Sequence, residues 1–179
     1  IHPANEPLLL HGVGTIGLEI FADLPDVDIL INPVGGGSSC CSNAIALKSL
    51  NPRIEAVAVQ AETAPAVYKS YHAGKMLEHE SADTFADGLA TRVPFEFTFG
   101  IMQDMIDDVV LVSEEEMEQA IIRLFDTTHN VAEGAGAAST AAAFRYADRI
   151  RGKTVVLLLS GGNLTRQKFG EILNKWQTL

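Results

Sequence analysis

Four apolar runs limit what this chain can fold into: VDILIN (27–32), IEAVAVQ (54–60), DVVLV (108–112) and TVVLLL (154–159). They are aliphatic and β-branched, and they barely alternate with polar residues. A strand with one wet face alternates with period two. A near-continuous apolar run suits a strand covered on both faces, as in a parallel sheet with helices above and below. Helical patterns fill the gaps, at 15–24 and 38–50. SEEEMEQAIIRLF (113–125) carries a capping box, Ser113 with Glu116, and an apolar face of Met117, Ala120, Ile121, Leu124 and Phe125. AGAASTAAAFRYA (135–147) is almost all small residues. A last helix is expected with Asn163 as N-cap and a face of Phe169, Ile172, Leu173 and Trp176. Residues 73–100 show no period. The alternation predicts the α/β class, an open, mostly parallel twisted sheet with helices on both faces. At 179 residues the chain fits a single domain, 1–179, with a sizeable core.

Charge narrows the function. With 13 basic and 23 acidic residues the net charge is −10, and no basic cluster stands out. That argues against nucleic acid and against an anionic membrane surface as partners. A small anion remains open, because backbone N–H groups hold one without net positive charge. No apolar run nears the ~20 residues of a membrane span. A basic start followed by an apolar stretch, the mark of a signal peptide, is not seen. Cys40 and Cys41 are adjacent and read as reduced thiols of a cytoplasmic protein. The histidines do not cluster, so no metal site is expected, and no Gly-x-Ser-x-Gly elbow supports a hydrolase.

GVGTIG (12–17) fits the dinucleotide-binding spacing, but the next strand ends in Asn32-Pro33-Val34-Gly35, without the acid that would hold a ribose. It reads better as a tight turn into a helix, with Gly17 allowing close packing. PVGGGSSCCSNAIA (33–46) is the stronger signal. Three glycines follow a buried strand, and Ser38 and Ser39 open a helix. Consecutive N–H groups with no side chains in the way form an anion nest, and the helix N-terminus adds partial positive charge. LLLSGGNLT (157–165) is a second strand-to-helix glycine turn. In a parallel sheet both turns face the carboxyl edge, where ligands bind. VAEGAGAAS (131–139) places Glu133 before a helix of small residues, which let a backbone or a flat ligand come close.

These pieces occur together and in order: HPANEP, GVGTIGLEI (12–20), VDILINPVGGGSS (27–39), ADGLA (86–90), VAEGAGAA (131–138) and LLLSGGN (157–163). The chain thereby resembles the threonine/serine dehydratases (threonine ammonia-lyases) and serine racemases, pyridoxal 5'-phosphate (PLP) enzymes of the tryptophan-synthase-β fold type, fold type II. The resemblance covers nearly all 179 residues and implies the C-terminal part of the large PLP-binding domain. It implies that Gly35, Gly36, Gly37, Ser38 and Ser39 wrap the cofactor phosphate, although many members carry a fourth glycine where Ser38 stands. It implies that Ser160 meets the pyridine nitrogen and that Glu133 lies close to the cofactor. Some members hold a divalent cation after the second strand here. Those positions fall on Gln60 and Ala66, with Glu62 out of register, so the metal ligands are absent. The family's Schiff-base lysine lies upstream of HPANEP, and none of the six lysines here matches it. The start at Ile1-His2-Pro3 agrees with the C-terminal portion of a longer enzyme, its small domain and Schiff-base segment absent.

The implied reaction is β-elimination of L-threonine or L-serine to a 2-oxo acid and ammonia, with the 179-residue chain inactive by itself. The alternatives are a serine or aspartate racemase, a β-replacing relative, or a non-catalytic fragment that binds a phosphate ligand. The expected partners are the amino-acid substrate, the N-terminal portion of the same enzyme and further copies of the chain in a homo-oligomer. Partial disorder is expected over 73–100.

Overall fold

A computed structural model describes residues 4–176; His2 and Pro3 of the HPANEP motif lie outside the described residues. The elements run α1 (Pro7–Val13), α2 (Thr15–Asp23), β1 (Ile29–Pro33), α3 (Ser38–Leu50), β2 (Glu55–Ala61), α4 (Ala66–Ala73), a 3-10 turn (Asp87–Leu89), α5 (Glu96–Met105), β3 (Asp108–Val112), α6 (Glu114–Thr128), α7 (Gly134–Arg145), α8 (Ala147–Ile150), β4 (Val155–Leu157) and α9 (Arg166–Lys175). The four strands form one sheet in the order β3-β2-β1-β4, and every pairing is parallel. Ile31 stands opposite Val57 on one side and Leu157 on the other.

The apolar runs do what their lack of alternation requires. One face of the sheet (Ile29, Ile31, Val57, Val59, Val110, Val112) packs with Met117, Ala120 and Ile121 of α6 and with the alanines of α7. On the other face, Ala56, Ala58 and Val109 meet Cys40, Cys41 and Ala44 of α3 and Met102 of α5, while Leu30 packs with Leu47. All five residues of β1 are buried. The capping box forms as expected: Glu116 N–H donates to Ser113 Oγ at 3.2 Å and Ser113 N–H donates to Glu116 Oε2 at 2.7 Å.

Several elements differ from the reading of the sequence. The leucines before Gly12 belong to a short helix, α1, with Pro7 in its first turn and Glu6 capping Leu8 N–H at 3.2 Å. Helices α4 and α5 were hidden because each is short and buries only three residues, one of them polar (Ser70 and Thr98). The segment 73–100 is not loose: it is a strap laid over its own chain. Leu77 N–H donates to Ser70 Oγ (2.9 Å), His79 N–H to Arg92 O (2.8 Å), Phe85 N–H to Glu114 Oε2 (3.1 Å) and Thr98 Oγ1 to Gly36 O (2.7 Å). Helix α9 starts later than expected. Its cap is Thr165, whose Oγ1 accepts from Lys168 N–H at 3.2 Å, and not Asn163. Residues 160–164 stay irregular because Gly162 lies on Val131 O and Leu164 N–H turns back to Gly162 O. On α9, Ile172 is buried and Phe169 and Trp176 pack on the core, while Leu173 stays exposed.

Candidate functional site

The carboxyl edge of the sheet gathers the predicted residues. Strand β1 runs into Val34, Gly35, Gly36 and Gly37, and α3 begins at Ser38. Gly37 has φ +92°, the left-handed region that disfavours side chains, and a Cβ there would overlap the Met102 methyl. Gly35 lies so close to the strap that a Cβ would overlap Gly88 O. The loop is therefore backed from behind, with Thr98 Oγ1 holding the Gly36 carbonyl. The first intrahelical bond of α3 runs from Cys41 N–H to Gly37 O at 2.9 Å. The N–H groups of Ser38, Ser39 and Cys40 thus have no acceptor within the helix. They sit at the positive end of a 13-residue helix whose first turn carries no acid.

The second turn, Ser160-Gly161-Gly162, follows β4. Strand β4 runs parallel to β1, and Leu158 N–H donates to Ile31 O at 3.1 Å, so Ser160 leaves the sheet at the same carboxyl edge as the first loop. Ser160 is exposed. Glu133 is the N-cap residue of α7 by its backbone, but its carboxylate caps nothing. Its N–H donates to Gly161 O at 3.1 Å, and its Oε1 lies where a Cβ on Gly161 would point. Gly136 of α7 meets Gly161 O so closely that a Cβ would overlap it. The structure thus draws Gly35–Ser39, Ser160 and Glu133 to one edge, joined through the strap and the start of α7.

Other groups fall away from this edge. Lys153 lies near Pro25, Asp26, Asn51 and Arg53, at the opposite, amino edge. Lys48 pairs with Asp107 at 2.6 Å, and Lys168 and Lys175 pair with Glu118 at 3.2 and 2.8 Å. Lys69 and Lys75 are exposed on and after α4. Both cysteines are free and buried. Burial pushes the Cys41 thiol up to about 12 and pushes Cys40 up as well, so neither is a ready nucleophile. Gln60 stands buried at the carboxyl end of β2. Its Oε1 accepts from Tyr68 N–H at 3.0 Å, and its Nε2 is a donor without a partner, unsuited to a cation. Among the described residues no cluster of three His, Cys, Asp or Glu side chains could hold a metal ion. No helix among the described residues is long and apolar enough to cross a membrane.

Sequence reasoning missed the part of the strap that backs the glycine loop, and it missed a buried amide pair, Asn32 and Asn43, beneath Ser39. Asn32 did give a signal: it is the polar end of an otherwise apolar buried strand.

A family model described as "Pyridoxal-phosphate dependent enzyme" matches residues 1–161. The chain is 41% identical over 175 residues to an L-threonine ammonia-lyase of Thermotoga maritima, covering 98% of this chain and 43% of that protein. It superposes on the processed form of threonine deaminase isoform 2 from Solanum lycopersicum with a TM-score of 0.94 and 32% identity, covering 99% of this chain and 52% of that one. Against maize serine racemase the TM-score is 0.88 at 29% identity, covering 98% and 54%. The chain therefore spans about half the length of the relatives it matches.

Proposed function

Because this chain belongs to the family of pyridoxal-phosphate dependent enzymes, we propose that it carries the cofactor-phosphate and ring contacts of an L-threonine/L-serine ammonia-lyase. The observation that carries the reading is the loop 35–39. Its donors are backbone N–H groups and serine hydroxyls at a helix N-terminus, and two of its glycines stand where a Cβ would overlap the wall behind. That donor set fits a phosphate monoester.

The N–H groups of Ser38, Ser39 and Cys40 would hold the phosphate. Thr98, through the Gly36 carbonyl, keeps the loop from opening. Ser160 would share a hydrogen bond with the pyridine nitrogen. A neutral hydroxyl does not hold that nitrogen protonated as a carboxylate would, which favours loss of a β-substituent over build-up of charge on the ring. Glu133, beside Gly161, would lie one residue from that contact. Bound PLP would supply the electron sink for loss of the Cα proton and of the β-hydroxyl, and the products would be a 2-oxo acid and ammonia.

The segment that provides the Schiff-base lysine would come from an N-terminal portion of the same enzyme, since each lysine here is paired, exposed or at the wrong edge. Two free buried thiols suit a reducing cytoplasm. Exposed Leu8, Leu18 and Ile45 support a homo-oligomer. The test is 2-oxobutanoate formation from L-threonine by the intact protein with PLP, and none from the 179-residue chain. Product from the chain alone would remove the claim that it is inactive. D-serine from L-serine in place of 2-oxo acid would assign a racemase.

A further inference from the structure

Ser39 stands on a chain of hydrogen bonds whose direction is fixed from its far end. Gly17 of α2 has an N–H, which can only donate, and it meets Asn43 Oδ1 at 3.0 Å. That sets which end of the Asn43 amide is oxygen. Asn43 Nδ2 must then face the other way, and it donates to Asn32 Oδ1 at 3.0 Å and to Ser39 Oγ at 3.3 Å. This sets the Asn32 amide in turn. Its Nδ2 donates to Pro33 O at 2.9 Å and to Ser39 Oγ at 3.3 Å. Both asparagines are buried, at 1% and 0% exposure. Every amide hydrogen and both amide oxygens are used.

The consequence falls on Ser39. A serine hydroxyl has two acceptor positions and one proton. Two amides occupy both acceptor positions, so donation is the capacity left, and the O–H must point away from both. Ser39 is half-buried in the first turn of α3, beside N–H groups with no helical acceptor. We infer that Asn32 and Asn43 are positioning residues that make Ser39 a fixed donor to the cofactor phosphate. The inference rests on the proposed cofactor site and adds to it the residues that aim one of its donors. A buried Asn–Asn pair on the strand–helix seam has this use, and an aliphatic pair would satisfy packing as well.

The test is the dissociation constant of the intact protein for PLP and for pyridoxal, which lacks the phosphate. Ser39→Ala should weaken PLP roughly 10- to 100-fold, the range for losing a hydrogen bond to a charged acceptor, and leave pyridoxal unchanged. Ser39→Thr should restore binding. Asn32→Leu should weaken PLP in the native background and have no further effect in the Ser39→Ala background. Asn32→Asp keeps the shape but turns a donor into an acceptor. It should draw the hydroxyl inward and weaken PLP at least as much as Ser39→Ala, which serves if the leucine variant does not fold. Native-like PLP binding by Ser39→Ala, or equal losses from Asn32→Leu with and without Ser39, would overturn the inference while the cofactor site stands. A native protein that binds PLP and pyridoxal equally would overturn both.

Discussion

Gly12 and Gly17 are the outer glycines of one dinucleotide-like motif, and the structure gives their alanine variants opposite signs. Both lie within helices and neither has a positive φ. A Cβ on Gly12 would meet nothing within 4 Å. The gain from Gly to Ala in a helix interior is about 0.8–1 kcal/mol, so Gly12→Ala should stabilise by up to about that amount. A Cβ on Gly17 would stand 2.9 Å from Ala46 Cβ, 3.1 Å from Asn43 O and 3.3 Å from Asn43 Cα. Carbon atoms settle at ~3.5–4.0 Å, so α2 must back away from α3 by several tenths of an ångström or more. Overpacking of this kind costs about 1–3 kcal/mol. Against the same helix gain, Gly17→Ala should destabilise by up to about 2 kcal/mol, which for a domain of this size is a fall in Tm of roughly 2–4 °C per kcal/mol. Urea and thermal unfolding of the two variants read this directly. Equal shifts of the same sign would refute the steric reasoning. Tight NADH binding abolished by either variant would revive the nucleotide reading.

Gly37→Ala should lose about 1–2 kcal/mol from the left-handed backbone, plus the displacement of Met102. Gly152→Ala, at φ +73° with nothing within 4 Å, should lose the backbone part alone, so equal unfolding midpoints would contradict the assignment. Burial alone would raise the Glu118 carboxyl, but hydrogen bonds from Lys175, Trp176 and Lys168 outweigh it and hold the group below its ordinary value. Its contribution is therefore present above the ordinary carboxylate value of about 4.3 and is lost as pH falls from there through the folded value; Glu118→Gln should cost about 1–3 kcal/mol at pH 7 and flatten the acid limb of the stability profile. Cys40 and Cys41 should resist a disulfide reagent at pH 8 in the native protein and both react on unfolding; fast native labelling would contradict their burial.

The layered sheet was legible because β1, β2 and β3 are buried on both faces and their composition says so. The capping box of α6 was legible because its signal is local. Strand β4 lies at a sheet edge, is half-covered and is shorter than its apolar run. The strap resisted reading because what holds 73–100 is a set of single hydrogen bonds to distant partners, such as Phe85 to Glu114 and Thr98 to Gly36. Nothing periodic marks such contacts. Asn163 looked like a cap by its place after Ser160-Gly161-Gly162, but it is Thr165 whose hydroxyl accepts from the Lys168 N–H and opens the helix. The glycine loop was legible as a nest. The amides that aim Ser39 were not, because they lie on β1 and α3 and are fixed from α2.

The close approach of Gly35 to the carbonyl of Gly88 differs in kind from an ordinary core contact. When two side chains crowd, either can shrink to admit the other. Gly88 itself faces a side chain, Ala135 Cβ, at 2.8 Å from where its own Cβ would stand, so Ala135→Gly can make room for an alanine at 88. At Gly35 the obstacle is a main-chain oxygen, which every amino acid carries. No exchange at position 88 removes it, and the same holds for Gly136 against Gly161 O. Sequence change can pass by paired steps where a side chain is the obstacle, as at Gly88, while at Gly35 and Gly136 no change of the partner's side chain opens the position.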